Sequence, residues 1–297
     1  MARLTVILLC LVSAASFGAM AVAIRFGLDN GRAGEAGTAF RRRRKRRLGG
    51  GSAAGGALAM VTWGTAIAIV AALPQHDFHR SWEFFLAGFL APGCSQVLFT
   101  LSVREAGPSR TSVAVGAAPL VAVAIALAFL GEPVRTLLVL GALAIVGGGV
   151  VLALERDRPE HVRTIALLFA VGAMVFFAVR DDIIRALHAH ANPESAAAAT
   201  FLGGLLVTFL WARRLPTPRE LRRLAPAGIF FALSYLCLFE AYFRGRVSVV
   251  SPLVATESLW AVGLSAVLLR HEQVRARLLF GALLVVGGGI LIGLGRN

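Results

Sequence analysis

The chain has 297 residues, 57% of them hydrophobic and 15% charged, with a mean hydropathy of +0.76 and a formal net charge of +14. So few polar side chains cannot cover a water-facing globule, which excludes an ordinary soluble enzyme or binding domain and makes lipid the solvent for most of the surface. The excess of 30 Lys and Arg over 16 Asp and Glu points to anionic lipid before nucleic acid, because no aromatics interleave with the basic run and its neighbours are lipid-soluble.

A bilayer core about 30 Å thick requires about 20 apolar residues of helix. Between charges, ten stretches qualify: Leu4 to Ile24, Ala53 to Leu73, Phe84 to Val103, Thr111 to Leu130, Thr136 to Leu154, Thr164 to Leu187, Ser195 to Ala212, Leu224 to Phe243, Val247 to Leu269 and Leu278 to Gly295. The runs are continuous and rich in Leu and Ala, without the alternation of a lipid-facing strand, so the expected class is all-α membrane protein. The first stretch also has the layout of a cleaved signal peptide, with Arg3 before Leu4 to Leu11 and small residues after. It runs on to Ile24 without a polar break and has a counterpart in the second half, which favours a retained span.

Before the second stretch, Arg41 to Arg47 reads RRRRKRR, followed by Leu48-Gly49-Gly50-Gly51-Ser52. Seven cations cannot lie in hydrocarbon at roughly 2.5 to 3.5 kcal/mol each. The second helix therefore starts near Ala53, with the basic run at the headgroups, where each cation gains about 1 kcal/mol from anionic lipid. The abrupt change of composition over Arg41 to Met60 also fits a local reading-frame error. Cys10, Cys94 and Cys237 sit inside apolar stretches at spacings unlike any metal or disulfide motif, and no His lies within a span.

The halves repeat one another. Glu132 to Leu154 aligns without a gap on Glu272 to Leu294, an offset of 140, sharing GAL and VGGG in identical places. Phe17 to Arg25 can be laid on Phe177 to Arg185, matching the final Ile-Arg. The unit is five helices, residues 4–154 and 164–295, and because five is odd the second copy must cross in the opposite sense. Inverted repeats are characteristic of secondary transporters. The glycines at 141, 147–149, 281, 287–289 and 293 include a GxxxG spacing at Gly289 and Gly293, suited to close contact between repeats or between protomers of a homodimer.

Gly107-Pro108-Ser109-Arg110, Pro119-Leu120, Leu130-Gly131-Glu132, Gly141 and Gly147 to Gly149 together resemble the first-half signature of EamA-type members of the drug/metabolite transporter superfamily. The resemblance covers essentially the whole chain. It implies ten helices, a central cavity between the repeats, and movement of small metabolites such as amino acids without a bound cofactor. Two departures stand in the second copy, which has Arg270-His271-Glu272 for Leu130-Gly131-Glu132 and Glu257-Ser258-Leu259 where Pro119 would fall.

Charges inside spans mark cavities or partners. Glu257 stands in the middle of the ninth stretch, sharing a face with Leu253 and Trp260 if the helix is continuous. Desolvation disfavours the charged form of such a carboxyl group, the condition under which it can accept and release a proton near neutral pH. Arg180 and Asp181 lie toward the end of the sixth stretch and Glu240 toward the end of the eighth, as coupling or cavity charges or as self-paired interfacial ones. Ser95 and Gln96, Tyr235, Trp63 and Trp260 are the candidates for hydrogen bonding and stacking on a small organic substrate. The expectation is a multi-pass carrier in the plasma (inner) membrane working by alternating access, without metal, cofactor or nucleic acid. A duplicated structural or assembly protein is the alternative, and an intramembrane enzyme a weaker one, since no nucleophile and base fall on facing helices. Orientation stays open. Loop assignment puts eight Lys and Arg on the side of the termini and the rest opposite, which places the termini outside by the positive-inside rule, whereas the resemblance implies termini inside.

Overall fold

The computed structural model describes residues 2–35, 50–75, 80–118, 120–121, 136–153, 164–245, 247–269 and 276–295, and among these the chain is helical with no strand. The basic run Arg41 to Arg47, Pro119, the Leu130-Gly131-Glu132 motif and Arg270-His271-Glu272 lie outside the described residues. Five segments are long and apolar enough to cross a membrane: Leu4–Leu28, Ala53–Gln75, Trp82–Ala106, Pro193–Ala212 and Pro218–Arg244. The first belongs to helix α1 (Ala2–Glu35), and the second comprises most of α2 (Gly50–Ala72) and the turn after it. The third is α3 (Trp82–Gly88), a π-helical turn Phe89–Cys94, and α4 (Ser95–Ala106). After α5 (Pro108–Val115) come α6 (Thr136–Ala153) and α7 (Thr164–Ala186), then α8 (Pro193–Ala212) and α9 (Pro218–Arg244). The last three are α10 (Val247–Val254), α11 (Glu257–Leu268) and α12 (Ala276–Gly295). Shorter apolar segments run through α6, α11 and α12. Helix α7 is long enough to span, but carries Arg180, Asp181, Asp182 and Arg185 in its last two turns.

Local chemistry sets several boundaries. Asn192 caps α8 by accepting a hydrogen bond from the Ser195 amide at 2.9 Å, with Pro193 at the first helical position. Thr217 and Glu220 form a capping box at the start of α9, and Glu220 also holds Arg214. Three long apolar stretches are not continuous helices. The third is interrupted at Ala91, whose backbone is extended (φ −145°, ψ 122°) ahead of Pro92. In the fourth, α5 stops at Val115 in a turn at Gly116 and Ala117, and in the ninth, α10 and α11 are separated by a turn at Ala255 and Thr256. The single ninth helix expected from apolarity is therefore two, and Leu253 does not share a continuous helix face with Glu257 and Trp260 across the break. Apolarity records burial in lipid, whereas helix continuity depends on backbone bonds that a cavity can replace.

The packing carries an internal symmetry. Exchanging each helix for its counterpart five spans on (α1 with α7, α2 with α8, α3 and α4 with α9, α5 with α10 and α11, α6 with α12) maps most of the packed pairs onto one another: α1 on α9 matches α7 on α4, α2 on α9 matches α8 on α3, and α2 packs on α8 and α6 on α12. Counterparts run in opposite directions. Val6, at the start of α1, abuts Gly245 just beyond the end of α9, where Arg185 at the end of α7 also donates to the Tyr242 carbonyl at 2.9 Å. Arg25, the counterpart of Arg185, donates in the same way to the Arg104 carbonyl at the end of α4, at 2.8 Å.

Without a hydrophobic force between helices in lipid, close backbone approach must do the packing. The glycine-rich stripes of α6 and α12 meet each other: a Cβ at Gly148 would lie 2.8 Å from the Gly281 carbonyl oxygen, and one at Gly288 2.5 Å from that of Gly141. These glycines join the two halves of one chain. A Cβ at Gly203 would lie 2.0 Å from the Phe85 carbonyl oxygen and one at Gly88 2.1 Å from that of Thr200, so α3 crosses α8 backbone to backbone, and Pro92 seats against Gly204. Large apolar side chains such as Leu8, Val70, Leu168, Leu210 and Val267 point outward, as a lipid-facing surface requires.

Candidate functional site

Where α1, α7 and α9 meet the two broken helices, they line a cavity. Phe17 and Met20 enter from α1, Phe99 from α4, and Phe177, Arg180 and Asp181 from α7. Leu238 and Tyr242 come from α9, and the broken helices contribute Val115 and Gly116 on one side, Ser251, Val254, Ala255 and Glu257 on the other. The breaks correspond in the repeat, since Gly116 and Thr256 stand 140 residues apart. They also touch: a Cβ at Gly116 would lie 3.2 Å from Ser258 Oγ. Paired interruptions at equivalent places in two halves leave half-helix ends, with their unpaired backbone groups and partial charges, facing a common space.

Arg180 is 1% exposed and its guanidinium carbon sits 4.5 Å from the Tyr235 ring centroid, 5.7 Å from that of Phe177 and 5.9 Å from that of Phe239. Its Nε lies 2.8 Å from Asp181 Oδ1, an ion pair without hydrogen-bond alignment, and Nη1 makes no well-formed hydrogen bond. The other Asp181 oxygen, Oδ2, accepts from the Tyr242 hydroxyl at 3.1 Å. Tyr235 is itself fully buried in an aromatic cluster, its ring 5.9 Å from Phe17, 4.7 Å from Phe231 and 4.8 Å from Phe201. Glu257 is 8% exposed, in the first turn of α11, and opens on the cavity.

Of the residues singled out in the sequence, the fold thus brings Arg180, Asp181 and Glu257 to one cavity, with Tyr235 directly behind Arg180. Ser95 and Gln96 are fully buried on α4, one turn before Phe99, and Ser95 Oγ and both amide atoms of Gln96 make no well-formed hydrogen bond; they stand beside the cavity without lining it. Trp63 is elsewhere, its Nε1 donating to the Leu221 carbonyl at 2.9 Å and its Cβ packed over Gly228, which pins α2 to α9. Trp260 is 45% exposed, backs onto Gly18 of α1 and does not line the cavity. Glu240 pairs with Arg244 one turn along α9, outside the cavity. Arg180 and Asp181 are paired with one another and both line the cavity.

The sequence argument did not single out Phe17, Phe99, Phe177 and Tyr242. Phe17 and Phe177 carried a signal, since they open the matched segments of the first and sixth stretches. Tyr242 carried a weaker one: it and Tyr235 are the only tyrosines in the chain, and both attend the Arg180–Asp181 pair.

The family model of the EamA-like transporter family matches residues 50–154 and again 164–294. No match was found among curated proteins. One solved crystal structure is similar over 96% of this chain and 98% of its own, with a TM-score of 0.58 at 20% identity, a likeness of fold. Two successive matches over two halves that pack as counterparts leave one assignment: this chain belongs to the EamA-like transporter family of the drug/metabolite transporter superfamily, and is a multi-pass membrane protein.

Proposed function

We propose that this chain is a secondary carrier of small organic metabolites, built as ten membrane-crossing segments in two inverted five-helix repeats, 4–154 and 164–295, and working by alternating access in the plasma membrane. The observation that carries it is the pair of helix breaks, Gly116–Ala117 and Ala255–Thr256, in register in the two repeats and in contact at one cavity. Two halves of like fold and opposite direction can exchange conformations, so a site at their crossing faces one side and then the other. The matching bonds from Arg25 and Arg185 support this, because each ties its own repeat together at an opposite end of the molecule.

Glu257 is the proposed coupling group. Among the described residues lining the cavity it is the one acid without a cation beside it, and uptake of a proton there abolishes a charge that burial penalises. Glu257→Gln preserves size and hydrogen bonding but cannot titrate. In proteoliposomes it should lose concentrative, proton-driven uptake while counterflow survives at least in part. Normal pH-driven accumulation by this variant would remove Glu257 from the coupling, and product formation without flux by purified protein would replace the carrier by an enzyme.

A further inference from the structure

The repeats provide a control on which cavity residues the architecture itself requires. Phe17 and Phe177 stand 160 residues apart in equivalent places of α1 and α7, and both line the cavity. One turn on, the first repeat has Met20 and Ala21 where the second has Arg180 and Asp181, and at the breaks it has Ala117 where the second has Glu257. The neutral set supports counterpart helices whose main contacts, α1 on α9 and α7 on α4, correspond. The three charges are therefore not demanded by the fold, and buried charge that the fold does not demand points to an occupant.

Their arrangement favours one sign of occupant. Both Asp181 oxygens are engaged, by Arg180 and by Tyr242. Arg180 keeps an open position: it is nearly fully buried among three rings, its Nε is ion-paired with Asp181 Oδ1 at 2.8 Å, and its Nη1 makes no well-formed hydrogen bond. An open Nη1 on a planar, charged fork calls for an anionic acceptor, and a carboxylate matches it best. Phe17, Phe99 and Phe177 offer apolar surface beside it.

Deepening the carrier reading, on which its consequence for transport rests, we infer that the cavity takes a small organic carboxylate with an apolar body, its head on Arg180, and that Glu257 is neutral when it binds, so that anion and proton travel together. Among the described residues, the titratable groups lining the cavity are Arg180 and Asp181 from α7, Tyr242 from α9 and Glu257 itself; the lining residues of α1, α4, α5 and α10 are uncharged. Arg180 and Asp181 balance one another, so ionised Glu257 leaves the cavity with one net negative charge, and that charge opposes an anion. Protonation removes the opposition. By linkage, each ligand strengthens the other, and carboxylate affinity rises as pH falls.

The test uses three compounds with one phenyl body and different heads: 3-phenylpropanoate, phenylalanine and phenethylamine. Stabilisation of the full-length protein in detergent against heating reads binding of each, at about pH 6 and about pH 8, where a carboxylate of ordinary pKa near 4 stays ionised. The carboxylate should bind best, at least about threefold tighter at the lower pH, within the tenfold per pH unit that one linked proton allows. Arg180→Lys keeps the charge but not the fork and should weaken binding about tenfold. The double variant Arg180→Met/Asp181→Ala should fold and show no response. Glu257→Gln should retain the response and lose its pH dependence. Preference for the amine or the amino acid, affinity that rises with pH, or no response to any of the three overturns the inference. Carboxylate binding without proton-driven flux in proteoliposomes would instead sink the carrier reading and leave the anion site standing.

Discussion

Copying the first repeat into the second separates stability from function at the Arg180–Asp181 pair. Arg180→Met alone removes a cation that is 1% exposed and leaves Asp181 with the Tyr242 hydroxyl still donating to it. Stranding one partner of a buried pair costs about 3–5 kcal/mol, and because Asp181 is 17% exposed at the cavity the lower figure applies. Asp181→Ala strands the guanidinium and should cost about as much. The double variant Arg180→Met/Asp181→Ala removes both charges and leaves only the Tyr242 hydroxyl without its acceptor, which costs about 1 kcal/mol once Met fills the space against the rings. The cycle should therefore show that the two losses fall short of adding by several kcal/mol, with the double variant more stable than either single one by about 2 kcal/mol. Thermal melts of the four proteins in detergent, followed through the native tryptophans, measure this, and counterflow in proteoliposomes should be absent in the double variant. A double variant as unstable as Arg180→Met would mean that the pair holds the helices together, and would refute the reasoning that it serves an occupant.

Gly203→Ala should lower thermal stability by about 1–3 kcal/mol or more, since its Cβ would lie 2.0 Å from the Phe85 carbonyl oxygen. Gly263→Ala, with nothing within 4 Å, should raise it by up to about 1 kcal/mol through helix propensity; equal melting temperatures would mean that α3 and α8 do not cross as described. Arg25→Met and Arg185→Met each lose the charge-assisted hydrogen bond to a carbonyl described above, about 1.5–3 kcal/mol, and should destabilise the protein while exposing single cysteines engineered into the cavity to impermeant reagents from opposite sides; exposure from the same side in both variants would contradict the inverted arrangement. Single cysteines placed at Arg41 to Arg47 should react with a water-soluble maleimide, and Gln/Ser replacements there should leave folding intact while weakening binding to anionic vesicles. Full protection from the reagent would put the basic run somewhere other than the headgroups.

The class of the protein was legible because lipid imposes a length and an apolarity on every crossing segment, and these survive in composition without any contact being known. The repeat was legible for a related reason. Counterpart helices meet the same packing demands, so VGGG recurs at an offset of 140, and the glycines it marks turn out to face one another across α6 and α12. The alignment of Phe17 to Arg25 on Phe177 to Arg185 held to the level of single bonds, with both end arginines donating to the last turn of a neighbouring helix.

Apolar runs hide helix breaks, because a residue in a turn at a cavity is as apolar as one in a helix facing lipid. In Val247 to Leu269 only Pro252 hints at a break, and it does not place the turn at Ala255 that separates Leu253 from the helix of Glu257. Partnership across the chain is likewise invisible to spacing. Arg180 and Tyr235 are 55 positions apart in sequence and stack only because α7 and α9 converge, while Trp63, an equally good stacking candidate on paper, is spent on the Leu221 carbonyl. Hydropathy and duplication determine what crosses the bilayer and in what order, since both are sums over one segment at a time. Which of the polar residues meet is a property of helices packed against each other, and only the three-dimensional arrangement of α1, α7, α9 and the two broken helices decides it.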